Sequence, residues 1–479
     1  MALAFQAFFA MTHFSNWLRP EYGGAAALLI LVVAGGKRWR ELAGHPLFWL
    51  MLAFIVYAVL QAAYVARTTP ALSFSEHLSF NAKPVRVAVL TCAIGAWLAD
   101  RPRRIPLLLG LMVAGFVLAA LLCTPWAHLE AIVGGTLRLR LCYPENVVGE
   151  YAAIGLLLLS LYALSRSPRR GGRVAIACAA IPAGALLLAC LLYAQSRAAW
   201  LAMALVVPLS TFACLHEIHR HWRRPTIIAL AVAILAMVAV LGVGYALVAQ
   251  RLAGGQAIAE ALAHGELAEL PSSSVTLRMQ LAVLGWHAWQ AHPWLGMGLR
   301  SIQPMIDASG IHMAGYVPSH LHDGYLQALV GLGSIGAGLL LAAFTLLVHE
   351  LRRARRAGTV GGTTYWALLG CLGIMLIVNV SDFLSWHNDY MRAPLELLLG
   401  CCFALSLHRR RSGLETGDQA SAEAAGVLST GPESTTPSSQ NASGSMQASM
   451  RSASSRRLMQ AKKPGRAGMT VQSAATVQV

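Results

Sequence analysis

Long apolar runs, interrupted at short intervals by clusters of Lys and Arg, set the pattern of this chain. A helix crossing a hydrocarbon layer of about 30 Å needs roughly 20 apolar residues, because its backbone polar groups must be satisfied within the segment. Runs of that kind predict helices near 3 to 18, 22 to 36, 46 to 66, 84 to 99, 105 to 124 and 147 to 165. Six more are predicted near 173 to 194, 198 to 214, 225 to 248, 323 to 349, 363 to 384 and 389 to 408. The fold class expected is an all-α integral membrane protein of about 12 transmembrane helices. The first apolar stretch has no basic n-region and no small-residue cleavage site, so it reads as a retained helix.

The connectors orient the bundle, since short cytoplasmic loops carry the excess of Lys and Arg. Alternate connectors do so here: KRWR (37 to 40), DRPRR (100 to 104), SRSPRRGGR (165 to 173), HRHWRR (219 to 224), ELRRARR (350 to 356) and HRRR (408 to 411). Both termini are then cytoplasmic, and connectors 67 to 83, 125 to 146 and 249 to 322 face the periplasm of a bacterial inner membrane. The domain organisation expected is a polytopic membrane domain over 1–411, with the large 249–322 loop inside it, and a disordered cytoplasmic tail over 412–479, rich in Ser, Ala, Thr and Gly. Composition agrees: of 479 residues, 56% are hydrophobic and 12% charged, with a mean hydropathy of +0.57. The net charge of +16 is this loop signal plus a basic tail, so no nucleic-acid partner is expected. The nine cysteines show no CxxC and no recurrent spacing, against zinc sites and disulfide scaffolds. Cys123 and Cys142 flank one outward loop, which leaves a disulfide there open.

Several cations break the orientation pattern. Arg197, in YAQSRAAWLAMA, stands at a hinge between two spans, and Arg278, in PSSSVTLRMQLAVLGWHAW, begins an amphipathic stretch. Lys83 and Arg86, in FNAKPVRVAVL, open the fourth span, and Arg300 follows HPWLGMGL, where Gly296 and Gly298 suggest a tight turn. Each alone reads as snorkelling to headgroup phosphates. Several converging on one outer surface would make an anion site, because guanidinium groups grip phosphate oxygens in pairs, and a pyrophosphate-linked lipid is the natural ligand.

The stretch SHLHDGYLQALVGLG, residues 319 to 333, raises a different chemistry. His320 and His322 with Asp323 would hold a metal only with a third histidine from His292, His312 or His387, none at diagnostic spacing, so no metal and no cofactor are expected. As a helix start, Asp323 favours the helix dipole and His320 is loop, while His322 is a candidate general base. GLGSIG (331 to 336) fits GxGxxG by letter but follows no strand, and its small residues suit close helix packing instead.

Together these residues resemble a family. His322-Asp323-Gly324-Tyr325-Leu326-Gln327, then Leu329 and Gly333, resembles the H-N-x-x-L-x-x-L-x-x-x-G signature of bacterial O-antigen ligases and the related polymerases and O-linked oligosaccharyltransferases. SRAAWLA, SSSVTLR, HPWLGMGL and Tyr143-Pro144-Glu145-Asn146-Val147-Val148-Gly149 resemble further landmarks of that family, in the same order, over roughly residues 140 to 405. One departure is Asp323, where the family commonly has Asn or Ser; a carboxylate there would orient His322 or raise its basicity. The resemblance implies a GT-C-like glycosyltransferase of the all-helical kind. It would move polysaccharide from undecaprenyl pyrophosphate to a sugar hydroxyl of lipid A core at the periplasmic face, with inversion and without metal. His322 would be the base; Arg197 and Arg278, helped by Lys83, Arg86 and Arg300, would hold the pyrophosphate; Asp323, Tyr325 and Asp389 would be supporting residues. A polymerase, a protein oligosaccharyltransferase and, from another class, a lipid-linked glycan transporter are the alternatives, the last expected to show internal repeats and helices broken at mid-membrane.

Overall fold

The computed structural model describes residues 2–12, 36–69, 72–165, 170–218, 274–313, 317–382 and 389–429. The expected spans 22 to 36 and 225 to 248 fall almost wholly outside these, as does the first part of the long loop. The chain divides into two units, Met1–Asp418 and Gln419–Val479, and the site lies in the first.

Fourteen α-helices are described: α1 Ala2–Phe9, α2 Gly36–Ala43, α3 Pro46–Thr68, α4 Phe74–Leu98, α5 Ile105–Cys123, α6 Leu129–Val133, α7 Glu145–Ser165, α8 Arg170–Tyr193, α9 Arg197–Ile218, α10 Ser274–Ala291, α11 Ile302–Ser309, α12 Gly324–Arg356, α13 Gly362–Asn379 and α14 Asp389–Ser429. Among the described residues there is no strand. Six helical stretches among the described residues are long and apolar enough to cross a membrane: Pro46–Thr68, Pro102–Cys123, Arg197–Glu217, Gly324–Arg356, Gly362–Asn379 and Tyr390–Gly413. The chain is a multi-pass membrane protein. Helices α4 and α7 run 25 and 21 residues, but Glu76, Lys83 and Arg86 in one and Glu145 and Glu150 in the other make their first halves polar. Helix α14 continues to Ser429, past the boundary expected at 412, because EAAG and its neighbours favour helix more than their Ser and Gly content suggests.

Helix α9 packs between α7 and α13, and α3 packs against α4 and α12. The described basic segments around residues 40, 100, 355 and 410 gather at one end. There Ser406 donates to Glu350, which is 2% exposed and also takes Arg409; His45 lies 2.7 Å from Ser406; Arg355 pairs with Glu217, and Arg411 with Glu41 and Asp100. Burial holds the His45 imidazole down to about 4, assisted by Arg410, so it serves this network as a neutral ring.

Helix α12 joins that end to the other. Its 33 residues would span about 50 Å unbroken, more than a bilayer core requires. It breaks at Gly333, whose φ of 66° and ψ of 177° interrupt the helical path. The groups freed by the break pair with the turn at 293–298. Ser334 N–H donates to Pro293 O at 2.8 Å, Met297 N–H to Val330 O at 2.9 Å and Gly298 N–H to Gly331 O at 3.0 Å. Gln61 Nε2 donates to Leu295 O and Gly331 O, each at 3.0 Å, and the Tyr57 hydroxyl to Leu332 O. The tight turn expected at Gly296 and Gly298 is present, with φ of 69° and 88°. The expected packing role of the small residues is more specific than general closeness: Gly331 faces Leu299 and Gly333 faces the Trp294 backbone.

A Cβ at position 333 would overlap the Trp294 carbonyl, in a backbone region that is essentially glycine-only. Gly333→Ala should therefore lower detergent-solubilised thermal stability markedly and detach the 293–298 turn. An unchanged melting profile by fluorescence-detected size exclusion would contradict the role given to the break.

Candidate functional site

The segment before α12 is built around Asp323. Its carboxylate accepts the N–H groups of Tyr325 at 2.9 Å and Leu326 at 3.0 Å, an N-cap that satisfies two of the helix's orphan donors. Asp323 thus starts a helix rather than serving His322. Gln327, 2% exposed, reaches back so that its Oε1 accepts Leu321 N–H at 2.9 Å. Between these anchors His322 is held at φ 54°, a left-handed conformation unusual for a side-chain-bearing residue. Gly324 lets α12 approach α13: a Cβ there would stand 2.9 Å from Asn379 Oδ1.

The carboxylate beside His322 is Asp382. Helix α13 ends at Asn379 rather than running to 384, so Asp382 leaves the span, 5% exposed, and faces the histidines. Its Oδ1 is 3.1 Å from His320 Nε2 and 3.4 Å from His322 Nδ1, and the two imidazole centroids are 4.1 Å apart. His320 is therefore part of the cluster, not idle loop. Asn146 Nδ2 donates to Asp382 Oδ2 at 2.6 Å, and Arg138 donates to Asn146 Oδ1 and to Ala194 O, both at 3.0 Å. This chain of contacts ties the 124–144 loop, the start of α7 and the Ala194-Gln195-Ser196 turn to the histidines. Burial pushes the Asp382 carboxyl up, but the hydrogen bonds from His320 and His322 outweigh it and leave the group well below the ordinary carboxylate value. For His322, burial dominates and lowers the imidazole below 6.5, with Asp382 opposing and the charges of His320 and Arg278 assisting.

The cations expected at the site divide. Arg197 is the first residue of α9, directly after the turn that Arg138 grips, and Gly149 lets that turn approach α7, since a Cβ there would come within 2.9 Å of Ser196 Cβ. Arg278, half-buried on α10, lies close enough for its charge to act on His322. Lys83 and Arg300 come together on the Phe80 ring, 4.6 and 5.2 Å from its centroid. Arg86 does not join them: its Nε is 3.1 Å from Glu396 Oε1, and Glu396 is fully buried. That pairing meets the requirement of a buried carboxylate for a partner, and it removes the expected pyrophosphate role from Arg86. Asp389 opens α14, and its side chain lies outside the described residues, as does His387.

Beside the site, a cavity of about 510 Å³ opens between α3, α4, α12 and α13. Its lining is nearly all apolar, with Phe54, Leu339, Phe344 and Leu376 along it and Gly324, Tyr325 and Asn379 among its walls. Tyr325 is fixed there by its hydroxyl, which donates to Leu376 O at 2.8 Å.

The donor atoms of His320, His322 and Asp382 all lie within 4.8 Å of one another, a spacing that could hold one divalent transition ion. The third ligand would be Asp382, not His292, His312 or His387. An ion there would take His322 Nδ1 from its contact with Asp382.

Residues 182–341 match the family model described as O-antigen ligase. That stretch is similar to the O-antigen ligase family. No curated protein matches the chain. The O-antigen ligase match includes Arg197, Arg278, Arg300, His320, His322, Asp323 and Tyr325, and it leaves out Asp382, Asn146 and Arg138. Those three were the residues that sequence reasoning did not assign. Asp382 carried one usable signal: an acidic residue at the end of an apolar run, where a charge is costly unless paired.

Proposed function

We propose that this chain transfers glycan from undecaprenyl pyrophosphate to a sugar hydroxyl of lipid A core at the periplasmic face of the bacterial inner membrane. The observation that carries the reading is a histidine held against a buried carboxylate, within reach of an arginine's charge, at the edge of an apolar cavity. The cavity suits an isoprenoid chain, and the arginines suit the diphosphate. With Nδ1–H toward Asp382, His322 presents Nε2 as the acceptor. The acceptor hydroxyl gives its proton to Nε2 as its oxygen attacks the anomeric carbon from the face opposite the diphosphate. The bond to the diphosphate oxygen breaks, the configuration inverts, and Arg197 and Arg278, with Lys83 and Arg300 nearby, hold the charge that develops on the leaving group.

The broken helix at Gly333 is a feature transporters also use. Here the freed backbone groups are met by the chain's own 293–298 turn, Gln61 and Tyr57, which favours a braced scaffold over a moving gate.

Arg278→Lys keeps the charge but loses the paired donors, so transfer should fall about 10- to 100-fold; full activity would argue for headgroup snorkelling. The reaction is metal-independent in this reading. EDTA should leave the rate unchanged, whereas loss on chelation and recovery with Zn²⁺ would turn His320, His322 and Asp382 into ligands. Lipopolysaccharide from a deletion strain tests the reading as a whole. Bare core beside free lipid-linked polymer supports a ligase, and core carrying a single repeat unit would identify a polymerase instead.

A further inference from the structure

We propose that His320, His322 and Asp382 form a site for one Zn²⁺-class transition ion, and that filling it switches the base off. The site stands on geometry, whereas the switch rests on the reading of His322 as the base. Such an ion stops the reaction and takes no part in it.

A tetrahedral Zn²⁺ centre with bonds of about 2.0–2.1 Å sets its ligand atoms about 3.3 Å apart. Asp382 Oδ1 lies 3.1 Å from His320 Nε2 and 3.4 Å from His322 Nδ1, so two edges of that tetrahedron already have the right length. One ligand atom from each of the three residues lies within 4.8 Å of the other two. A turn of one imidazole closes the remaining edge, between the two nitrogens.

The groups behind the ligands suit the same role. Ser319 Oγ is 3.1 Å from His320 Nδ1, where it can accept that nitrogen's N–H and leave the Nε2 lone pair for the ion. Asn146 Nδ2 donates to Asp382 Oδ2 at 2.6 Å, which leaves Oδ1 as the binding oxygen. Partners of this kind orient metal-bound histidines and carboxylates. Both rings are partly exposed while Asp382 is buried, so water can bring the ion in and supply a fourth ligand. Two imidazoles and one carboxylate favour Zn²⁺ and Co²⁺ over Mg²⁺ and Ca²⁺, which take oxygen ligands.

Filling the site exchanges the tautomers of both rings. Without the ion, His322 carries its proton on Nδ1 and offers Nε2 to the acceptor hydroxyl. Coordination uses the Nδ1 lone pair, so the proton passes through water to Nε2. The nitrogen that would take the acceptor's proton is then already protonated. His320 likewise loses its proton at Nε2 and gains one at Nδ1, so neither neutral ring changes charge.

Binding and transfer are read separately on the full chain, purified in detergent with EDTA and then freed of chelator. Co²⁺ added to wild type should give the strong visible bands of a four-coordinate centre, and Zn²⁺ should displace it. His320→Asn and Asp382→Asn should lose the bands, and either variant suffices once size exclusion shows it folded. No bands in wild type, or equal bands in a folded variant, would overturn the site whatever the transfer assay shows. Saturating Zn²⁺ should lower wild-type transfer by roughly 10²–10⁴-fold, the effect of removing a general base. Mg²⁺ should not do so, and EDTA should restore the rate. Unchanged or increased transfer with Zn²⁺ bound would overturn the switch. A wild type that binds Co²⁺ but transfers nothing even in EDTA would remove the switch together with the proposed transfer, and leave the ion site standing.

Discussion

His322→Ala should reduce glycan transfer by roughly 10²–10⁴-fold, the usual contribution of a positioned general base, while the protein still folds. The ring is 13% exposed and sits at the start of α12 rather than in its packing core. Asp323 and Gln327 hold the segment independently of it. Alanine at φ 54° carries some backbone cost, so His322→Asn, which tolerates that conformation better, is the companion variant. Both should elute as folded protein and retain binding of the lipid-linked donor. Near-normal transfer by either one removes His322 from the chemistry.

Asp382→Asn should have the second largest effect, again about 10²-fold or more, through a different route. Asp382 touches neither donor nor acceptor in this account; it positions His322 and fixes which nitrogen carries the proton. Its effect should therefore appear in the pH profile. His322 acts when neutral and is lost as base when protonated. Its imidazole lies below 6.5, so wild-type kcat/KM should hold through neutral pH and fall as pH drops through a value below 6.5. Asp382 raises the imidazole against burial. Its replacement should thus move the acid limb to still lower pH while lowering the plateau. A uniform drop in active protein with an unmoved acid limb would indicate that Asp382 only supports folding.

How much of this was legible in the sequence depended on distance along the chain. Local signals held: the tight turn at Gly296 and Gly298, the helix start at Asp323, and the apolar runs of the six described helices long enough to span. Charge could be counted but not paired. Arg86 looked available because Glu396 lies 310 residues away, and no local pattern joins them. The same separation hid Asp382, which is 62 residues from His320 and looked like the tail of an apolar span. His320 and His322 two residues apart would face the same way only in an extended segment. The left-handed turn at His322 and a carboxylate reaching both rings bring them together instead. The glycines of the motifs became intelligible only with their neighbours. Gly149 admits the Ser196 turn, Gly324 admits Asn379, and Gly333 admits the Trp294 backbone.

The most direct test of the account is transfer by the purified protein in detergent, given an undecaprenyl-pyrophosphate-linked glycan and lipid A core, with no nucleotide and EDTA present. Wild type should yield glycan joined to lipid A core and release undecaprenyl pyrophosphate in equal amount, and His322→Ala should yield neither. Absence of product from folded wild type, or equal product from His322→Ala, would contradict it.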